Sequence, residues 1–452
     1  MIRIYKNNII MDRRDFLQKT AKLGLASAVA PAFLTACSKK STLTPLRNPE
    51  DYYLPQLTDK AVEGRELKVG IVGCGGRGQG ALYDLLEAAD GIRVTAMGDL
   101  FADKVQDLRA ALAADKQQEV AEDQCFVGFD AYKKVIDSGV DMVVLTTPPV
   151  FRATHFQYAT EKGVHSFLEK PIAVDAVGYR SIIATARQAQ AKKLSVVTGT
   201  QRRHQRSYVA AFEKIQQGMI GQITGGQVYW NGGMLWYRTR EEAWSDMEWM
   251  VRDWVNWKWL SGDHIVEQHV HNIDVFNWMT GQHPVSASAF GARHRRVTGD
   301  QFDQFSVDFE YPNGVHLHSM CRQINGCSCR ISEFIEGTKG RWDSESNEIK
   351  DLEGNVLWKW DEEAAQQEFK QHNPYVLEHA DWVSHIRRGE AHEEATATAE
   401  SSLCAVMGRE SAYTGRTITW DDISASPLNY LPEHLELGPV DMSGYTVPTP
   451  GE

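Results

Sequence analysis

The chain of 452 residues has few cysteines, and it has no long hydrophobic run and no internal repeat. Its seven cysteines are unevenly spaced, and a chain of this length forms a core without disulfides. Three of them, Cys321, Cys327 and Cys329, match no zinc-binding spacing, and we interpret them as core or loop thiols. We therefore expect neither a disulfide framework nor a metal centre.

Basic residues are outnumbered by acidic ones, 48 to 60. The formal net charge is −12, and no block rich in Lys and Arg follows the first 37 residues, which argues against nucleic acid as a partner. With 42% hydrophobic and 24% charged residues, the composition is typical of a globular protein of about two domains.

The N-terminal stretch MDRRDFLQKTAKLGLASAVAPAFLTAC, from Met11 to Cys37, predicts a signal peptide over residues 1–37. The paired arginines indicate the twin-arginine route, and Met11 is the expected start. The last four residues resemble a bacterial lipobox with Cys37 as the lipidated residue. The apolar run is too short to remain as a membrane span, so the expected membrane contact is a lipid anchor in the periplasm or cell envelope. The alternative is an ordinary amphipathic helix, and residues 38–62 are predicted to be a tether.

A nucleotide-binding turn follows the predicted strand Leu67–Val72. Gly73, Gly75 and Gly78 form G-x-G-x-x-G ahead of an amphipathic helix, where glycines permit a tight turn and a close backbone approach to a pyrophosphate. A second strand ends at Asp99, whose carboxylate would bind ribose hydroxyls and repel a 2′-phosphate. The pattern favours NAD over NADP, and the alternative is a tight turn without nucleotide.

Strands and helices then alternate through residue 203, which predicts an α/β fold with a doubly wound parallel sheet over residues 63–203. Ligands of such sheets lie at the carboxyl ends of the strands. The predicted cofactor-binding residues are Gly73, Cys74, Gly75, Gly76, Arg77, Gly78, Asp99, Thr146, Thr147, Pro148, His155, Glu169, Lys170 and Gln201.

A second α/β domain with an open, mostly antiparallel sheet is predicted over residues 204–425, with a tail over 426–452. Two alternating strands flank a Pro-Asn-Gly turn, and helices are expected at His372–Arg388 and Ser401–Tyr413. Six tryptophans fall between Trp244 and Trp278. This aromatic density indicates either core packing or a sugar-binding cleft, for which Trp236 and Trp254 are the named candidates.

Two groups of residues suit acid–base chemistry. Lys170 lies at a strand end in the predicted crevice, where it is either a catalytic acid or base or a solvated loop lysine. His264, Glu267, His271 and Asp274 are spaced as one stripe of a helix, on which His271 could take a proton from a sugar hydroxyl and Glu267 could hold the substrate or tune the histidine. The alternatives are a metal site, helix-capping polar residues, or a strand that places His269 beside them.

The junction between the two domains carries Gln201, Arg203 and His204. These side chains either bind substrate hydroxyls or a carboxylate, or form a polar network between the domains. We name Arg203, His204 and Asp274, with the two tryptophans, as candidate substrate-binding residues.

Over residues 65–420 the sequence resembles the Gfo/Idh/MocA oxidoreductases, named after glucose–fructose oxidoreductase and inositol dehydrogenase. The resemblance is carried by the glycine motif, by Glu169-Lys170-Pro171 and by His271-x-x-Asp274-x-x-x-Trp278-x-x-Gly281. It implies catalytic roles for Lys170 and His271, a carbohydrate or cyclitol substrate, NAD or NADP, and oligomer contacts through the open sheet. Glu267 and His269 stand where the family usually has Asp and Gly.

Three functions remain open. An exported sugar or glycoside oxidoreductase is favoured by Lys170, because the NAD-dependent glycosidases of the same superfamily typically lack that lysine. A redox-neutral glycosidase fits export with a retained cofactor, since free NAD is not expected outside the inner membrane. The third function is a sugar-binding lipoprotein without catalysis.

Overall fold

The computed structural model describes residues 44–451. The predicted signal peptide, the start at Met11, the lipidated Cys37 and the first part of the predicted tether lie outside the described residues. Within 44–451, no helix has the length and apolarity needed to cross a membrane. The six cysteines in this range are all free.

The first sheet has six parallel strands in the order β3-β2-β1-β4-β5-β6, which confirms the doubly wound arrangement. The strands are β1 Leu67–Val72, β2 Ile92–Asp99, β3 Cys125–Val127, β4 Met142–Leu145, β5 His165–Leu168 and β6 Val196–Thr198. Apart from β3, which is short and only partly buried, these strands consist largely of buried apolar residues, as expected of a sheet covered on both faces.

Helices follow the strands and cover both faces of this sheet. They are α1 Gly76–Ala88, α2 Ala102–Lys116, α3 Ala131–Asp137, α4 Arg152–Lys162 and α5 Ala176–Ala191. The switch in strand order between β1 and β4 puts the loops after these two strands at one crevice, where ligands of such sheets bind.

The second sheet has nine strands in the order β14-β13-β12-β11-β7-β10-β9-β8-β15. Its strands are β7 Ile223–Gly232, β8 Ser286–Ala292, β9 Gln304–Tyr311, β10 Val315–Gln323, β11 Arg330–Gly337, β12 Gly340–Asp343, β13 Glu348–Asp351, β14 Val356–Lys359 and β15 Ile418–Thr419. Neighbouring strands are antiparallel except β7 and β10, which run parallel. The expected open, mostly antiparallel sheet is thus confirmed, with β9 and β10 flanking the Pro-Asn-Gly turn.

Nine more helices follow along the chain within the described residues, most of them packed with the second sheet. They are α6 Arg206–Gln216, α7 Asp246–Arg252, α8 Lys258–Ser261, α9 His264–Glu267, α10 Val270–Thr280, α11 Glu362–Glu368, α12 Pro374–Arg388, α13 Ala395–Thr414 and α14 Trp420–Ala425. The core of this half joins α6, α10 and α13 to one face of the sheet.

Helix α12 corrects the predicted division of the chain. The sequence placed it in the 204–425 domain, yet its buried face belongs to the core of the first sheet. Trp382 is fully buried there and lies 5.8 Å from the ring of Phe167 on β5. The chain therefore returns to the nucleotide-binding half because this helix buries its apolar face on that half.

Two predicted extensions are also packed against the body. Residues 44–62 are not a free tether, because Leu46, Tyr52 and Leu57 contact the second core, with the Tyr52 ring 5.0 Å from that of Phe212. The described part of the tail, residues 426–451, packs Tyr430 and Tyr445, among others, onto a cluster of buried aromatic and aliphatic residues.

Candidate active site

The turn between β1 and α1 can be built only with glycine at two positions. Gly73 has a φ of +100°, and a Cβ there would lie 2.7 Å from the backbone of Thr146. A Cβ at Gly78 would overlap the carbonyl oxygen of Gly73. At Gly75 and Gly76, by contrast, a Cβ would meet nothing within 4 Å. The turn thus presents open backbone at the start of α1, where unpaired N–H groups suit a pyrophosphate.

Asp99 ends β2 beside this turn. Its carboxylate accepts hydrogen bonds from the backbone N–H of Cys74 at 2.7 Å and of Phe101 at 3.0 Å. Burial raises the pKa of Asp99 above its ordinary value. A carboxylate at the end of the second strand is the group that binds the ribose of NAD and disfavours a 2′-phosphate. The glycine turn and this carboxylate are together the pair of features that suits NAD.

A cavity of about 650 Å³ opens in front of the turn. From the first sheet it is lined by the predicted residues Gly73, Gly75, Gly76, Arg77, Gly78, Asp99, Thr146, Thr147, Pro148 and His155. Its opposite wall comes from one segment, residues 236–254, which contributes Trp236, Arg238, Glu241, Trp244, Val251, Arg252 and Trp254. We call this segment the cover. Both predicted tryptophans therefore lie at the cavity, 6.1 Å apart and edge to face.

The cover is attached to the nucleotide-binding half through Arg252. This guanidinium donates to both carboxylate oxygens of Asp103 at 3.1 Å and stacks 3.9 Å from the ring of Phe101. Phe101 and Asp103 come directly after the ribose-binding position Asp99. The cover is thus held over the same end of the cavity that would take the adenosine part of a dinucleotide.

His155 lies on the wall that the first sheet contributes, and it is a buried, uncharged imidazole. Its ring stacks 4.2 Å from Tyr132, and its Nδ1 lies 3.3 Å from the hydroxyl of Thr147. Burial, with the charge of Arg152, lowers the pKa of His155 to about 3. A neutral ring stacked on an aromatic neighbour supplies a flat apolar surface to the cavity.

Lys170 and Glu169 follow β5 and point to different partners. The Lys170 ammonium donates to the carbonyl oxygen of Glu267 at 2.5 Å and to its carboxylate at 3.1 Å, and both side chains are about one-tenth exposed. Glu169 pairs with Arg77 of the glycine turn. This strand end therefore connects the cofactor turn on one side with α9 of the second half on the other.

His271 lies in the first turn of α10 near these groups. Its ring stacks on Trp230 of β7 with centroids 5.7 Å apart. Burial lowers the pKa of His271 well below its ordinary value, and the positive charges of Lys170, Arg202 and Arg77 lower it further. His271 is therefore a neutral imidazole at physiological pH, which is the form that accepts a proton.

The predicted helical stripe is wrong as a single stripe, because the helix is broken. Helix α9 ends at Glu267, and α10 begins at Val270. His264 is turned toward Asp263, its Nδ1 2.9 Å from that carboxylate, and His269 lies 2.7 Å from the hydroxyl of Ser319. Of the stripe, only Glu267 and His271 remain with Lys170.

The three residues predicted at the domain junction, Gln201, Arg203 and His204, do not line the cofactor cavity. Arg203 forms two hydrogen bonds of 2.8 Å with Asp274, which also accepts from Ser401. His204 is fully buried with its Nε2 3.2 Å from Asp381. The arrangement favours the alternative of an interdomain polar network over substrate binding. Gln201 lies on the same short 3-10 helix, half-buried.

Sequence reasoning missed a buried network beneath His271. Arg202 pairs with Glu333 at 2.6 Å, and Glu333 also accepts from Asn272 at 2.6 Å and from Tyr208 at 2.7 Å. Arg202 also lies 5.6 Å from the ring of Trp230, which stacks on His271. A glutamate at an inward position of a strand was the one available signal, because such a residue requires a buried partner.

The comparison with family models agrees with this geometry. A model described as an oxidoreductase family with an NAD-binding Rossmann fold matches residues 67–198, and a GFO/IDH/MocA C-terminal domain matches residues 208–343. Together they cover more than half of the chain. The chain belongs to the Gfo/Idh/MocA oxidoreductase family. Its first half is an NAD-binding Rossmann domain.

The chain is also similar in sequence to two inositol dehydrogenases. The chain is 27% identical over 254 residues to inositol 2-dehydrogenase of Salmonella typhimurium, an alignment that covers 56% of this chain and 66% of the relative. It is 26% identical over 236 residues to inositol 2-dehydrogenase/D-chiro-inositol 3-dehydrogenase of Lactiplantibacillus plantarum, with coverages of 52% and 58%. The matched region thus spans less than two thirds of each of these relatives.

Two solved structures share the fold. Scyllo-inositol dehydrogenase from Lactobacillus casei, with bound NAD(H) and scyllo-inositol, matches with a TM-score of 0.59 at 18% identity over 78% of this chain and 99% of that one. The aldose-aldose oxidoreductase from Caulobacter crescentus, complexed with glycerol, gives 0.62 at 16% identity over 78% and 100%. At these identities the likeness concerns the fold.

Proposed function

We propose that this protein is an exported NAD-dependent oxidoreductase that acts on a hydroxyl of a sugar, cyclitol or glycoside. The observation that carries the proposal is the meeting of Lys170, Glu267 and His271 at the strand end beside the cofactor turn. The relatives named as inositol dehydrogenases support a polyhydroxylated substrate. Export by the twin-arginine route, the lipid anchor at Cys37 and a homo-oligomer built on the open sheet belong to the same proposal and rest on the sequence and the family resemblance.

The residues at this strand end divide the work. NAD, when bound, supplies an acceptor for the hydride that leaves the carbinol carbon. His271, neutral and buried, takes the proton from the substrate hydroxyl at an imidazole nitrogen. Lys170 donates a hydrogen bond to the same oxygen, and Glu267 holds the ammonium in place through two contacts. Arg77, Gly75 and Gly76 would hold the pyrophosphate, and Asp99 the ribose.

The cover adds a reason to expect a retained cofactor. It closes the wall of the cavity opposite the glycine turn, and Arg252 fastens it to Asp103. An enzyme that leaves the cytoplasm with its cofactor needs such retention and must regenerate the cofactor in place. A redox-neutral glycosidase uses the same feature, so it is the second candidate.

A product mass spectrum tests both candidates. Residues 38–452, purified with the NAD they retain, are incubated with a panel of cyclitols, sugars and glycosides, without added NAD. An intact product lighter by about two mass units, the loss of one hydride and one proton, supports the oxidoreductase. Cleaved sugar of unchanged oxidation state would instead establish the glycosidase.

Variants tie the activity to the assigned residues. His271→Gln and Lys170→Met are expected to abolish turnover while the retained NAD stays bound. The exposed His434→Gln is the matched control and should turn over like the parent. Unchanged turnover in both site variants would refute the catalytic assignment, and no product of either kind from any substrate would favour a sugar-binding protein.

A further inference from the structure

Six polar side chains from four separate stretches of the chain meet on the side of the molecule that carries α12. They are Tyr53 from the segment before β1, His204 from the turn after β6, Asp381 and His385 from α12, and His392 and Glu394 from the loop before α13. The three histidines and two carboxylates are between 0% and 12% exposed. Charged groups are buried in this way when they are paired with one another or bind a metal ion.

The polar atoms of the cluster lie close enough together to surround a single ion. Asp381 Oδ2 lies 3.2 Å from His204 Nε2, and Asp381 Oδ1 lies 3.7 Å from His385 Nε2. Glu394 Oε1 lies 3.2 Å from His392 Nε2. Ligands of a tetrahedral zinc ion, with bonds of about 2.0–2.1 Å, are about 3.3 Å apart. One donor atom from each of Asp381, His385 and His392 falls within 4.8 Å of the other two.

We propose that this cluster binds one divalent transition-metal ion, with zinc as the first candidate, through His385, His392 and Asp381. Imidazole and carboxylate form the ligand set that zinc accepts in proteins. The remaining members fit the outer shell that orients such ligands. His204 lies against the far oxygen of Asp381, and the second nitrogen of His385 is 3.2 Å from the carboxylate of Glu390.

The Tyr53 hydroxyl and a neighbouring cavity complete the site. This hydroxyl donates to Asp381, lying 2.7 Å and 2.8 Å from its two oxygens, and is 2.9 Å from His385 Nε2, so it belongs to the hydrogen-bonded surroundings of two of the ligands. Tyr53, His392 and Glu394 also line a cavity of about 260 Å³, through which an ion and water can enter. The ion would cross-link the segment before β1 to α12 and to the loop before α13.

This site is separate from the proposed active site. Among the described residues, the lining of the cofactor cavity and that of this second cavity have no member in common. A metal here would stabilise the packing of residues 44–62 rather than take part in hydride transfer. Its presence can therefore be tested without a substrate.

Cobalt titration of the full-length chain provides the test. The protein is purified without a polyhistidine tag, stripped with a chelator, returned to chelator-free buffer and titrated with Co²⁺ and then Zn²⁺. We expect one equivalent of Co²⁺ with the visible absorption of a four-coordinate site, displaced by one equivalent of Zn²⁺, and a melting temperature that rises with Zn²⁺. His392→Ala and His385→Asn should weaken binding by about 100-fold or more.

His316→Ala is the matched control, because His316 forms a similar pair with Asp308 at 3.0 Å on the exposed sheet. This variant should bind both ions like the parent. Absence of a saturable Co²⁺ signal in the parent, or equal binding by the parent and His392→Ala, would overturn the proposal. The cluster would then be a hydrogen-bonded network in which histidines and carboxylates compensate one another. Binding of NAD is expected to be the same with and without zinc.

Discussion

The substitution Gly75→Ala separates the cofactor-binding role of the glycine turn from its role in folding. Gly75 precedes the first residue of α1 with φ −74° and ψ −173°, which is extended backbone that alanine also adopts. A Cβ at this position meets no protein atom within 4 Å. Because Gly75 lines the cavity, the added methyl group would point into the space where a pyrophosphate approaches the backbone.

The size of the effect follows from this geometry. Without NAD, the change replaces glycine by alanine at an N-cap and should cost less than about 1 kcal/mol. With NAD, it displaces a hydrogen bond to a charged phosphate, which contributes about 1.5–3 kcal/mol, so the Kd should rise by about 10- to 150-fold. NAD at 100 times the parent Kd stabilises the parent by about 2.7 kcal/mol, and a variant 100-fold weaker gains only about 0.4 kcal/mol.

Equilibrium competition between NAD and a weaker-binding nucleotide, together with thermal unfolding with and without NAD, measures these quantities on protein freed of cofactor. Gly80→Ala is the matched control, because it lies on the same helix and its Cβ would meet only Arg77 Nη1, at 3.4 Å. It should keep full NAD affinity and equal or higher stability. Gly78→Ala should lose stability even without NAD, because its Cβ overlaps the Gly73 carbonyl. If Gly75→Ala binds NAD within threefold of the parent, the assigned position of the pyrophosphate is wrong.

Three further substitutions test the site and its surroundings. Lys170→Met should lower the free energy of unfolding in urea by about 3–5 kcal/mol because it leaves the buried Glu267 carboxylate unpaired, and adding Glu267→Gln should restore stability but no turnover. Arg252→Gln should speed NAD release about two- to fivefold in displacement by excess labelled NAD followed over hours to days, since its pair with Asp103 is partly exposed and worth about 0.5–1 kcal/mol; an unchanged rate would show that the cover does not limit release. His155→Phe should reduce the loss of stability in acid. The unfolded histidine gains its proton below about pH 6.5 and the folded one only near pH 3. Between these values the free energy of unfolding of the parent falls by up to about 1.4 kcal/mol per pH unit through this group, and the variant lacks this contribution. An equal slope in urea titrations of parent and variant would contradict the last, and the exposed His434→Phe is its control.

The sequence was sufficient to predict the first sheet because its signals are local. Each strand is a short apolar run, each is followed by a helix, and the glycine turn stands at the one place where the fold requires it. The same holds for the strands around the Pro-Asn-Gly turn. Residues at the ends of these strands, Asp99 and Thr146 among them, could therefore be placed at one crevice before any contact was known.

Features that depend on distant partners could not be predicted in this way. The stripe from His264 to Asp274 has helical spacing, but His269 bonds Ser319 on β10 and Asp274 is held by Arg203, so partners far along the chain determine where each side chain points. The proposed metal site joins positions 53, 204, 381, 385, 392 and 394, and no local spacing indicates that set. Only the return of α12 to the first sheet brings its members together.

The tryptophans of the second half fall into two groups, one in the core and one at the cofactor cavity. Trp257 and Trp259 are 3% exposed and belong to a core, whereas Trp236, Trp244 and Trp254 line the cavity. Core packing is thus observed for the first two, and the sugar-binding cleft stays a prediction for the other three. These lining tryptophans lie in the cover, opposite the glycine turn, in the cavity assigned to the dinucleotide.

Under the proposed export, an enclosed dinucleotide would let a chain with a cytoplasmic cofactor work outside the cytoplasm. A folded-state exporter would carry the chain with NAD in place, and the cover would have to slow its loss. The expectation is that protein purified from the cytoplasm keeps close to one NAD per chain through overnight dialysis, which requires a release rate below about 10⁻⁶ per second and, with an association rate of about 10⁶ per molar per second, a Kd of about 1 pM. Released nucleotide, quantified after acid denaturation, measures this retention. Ready loss of NAD on dialysis would refute export with a bound cofactor, and it would leave the catalytic assignment of Lys170 and His271 standing on its own test.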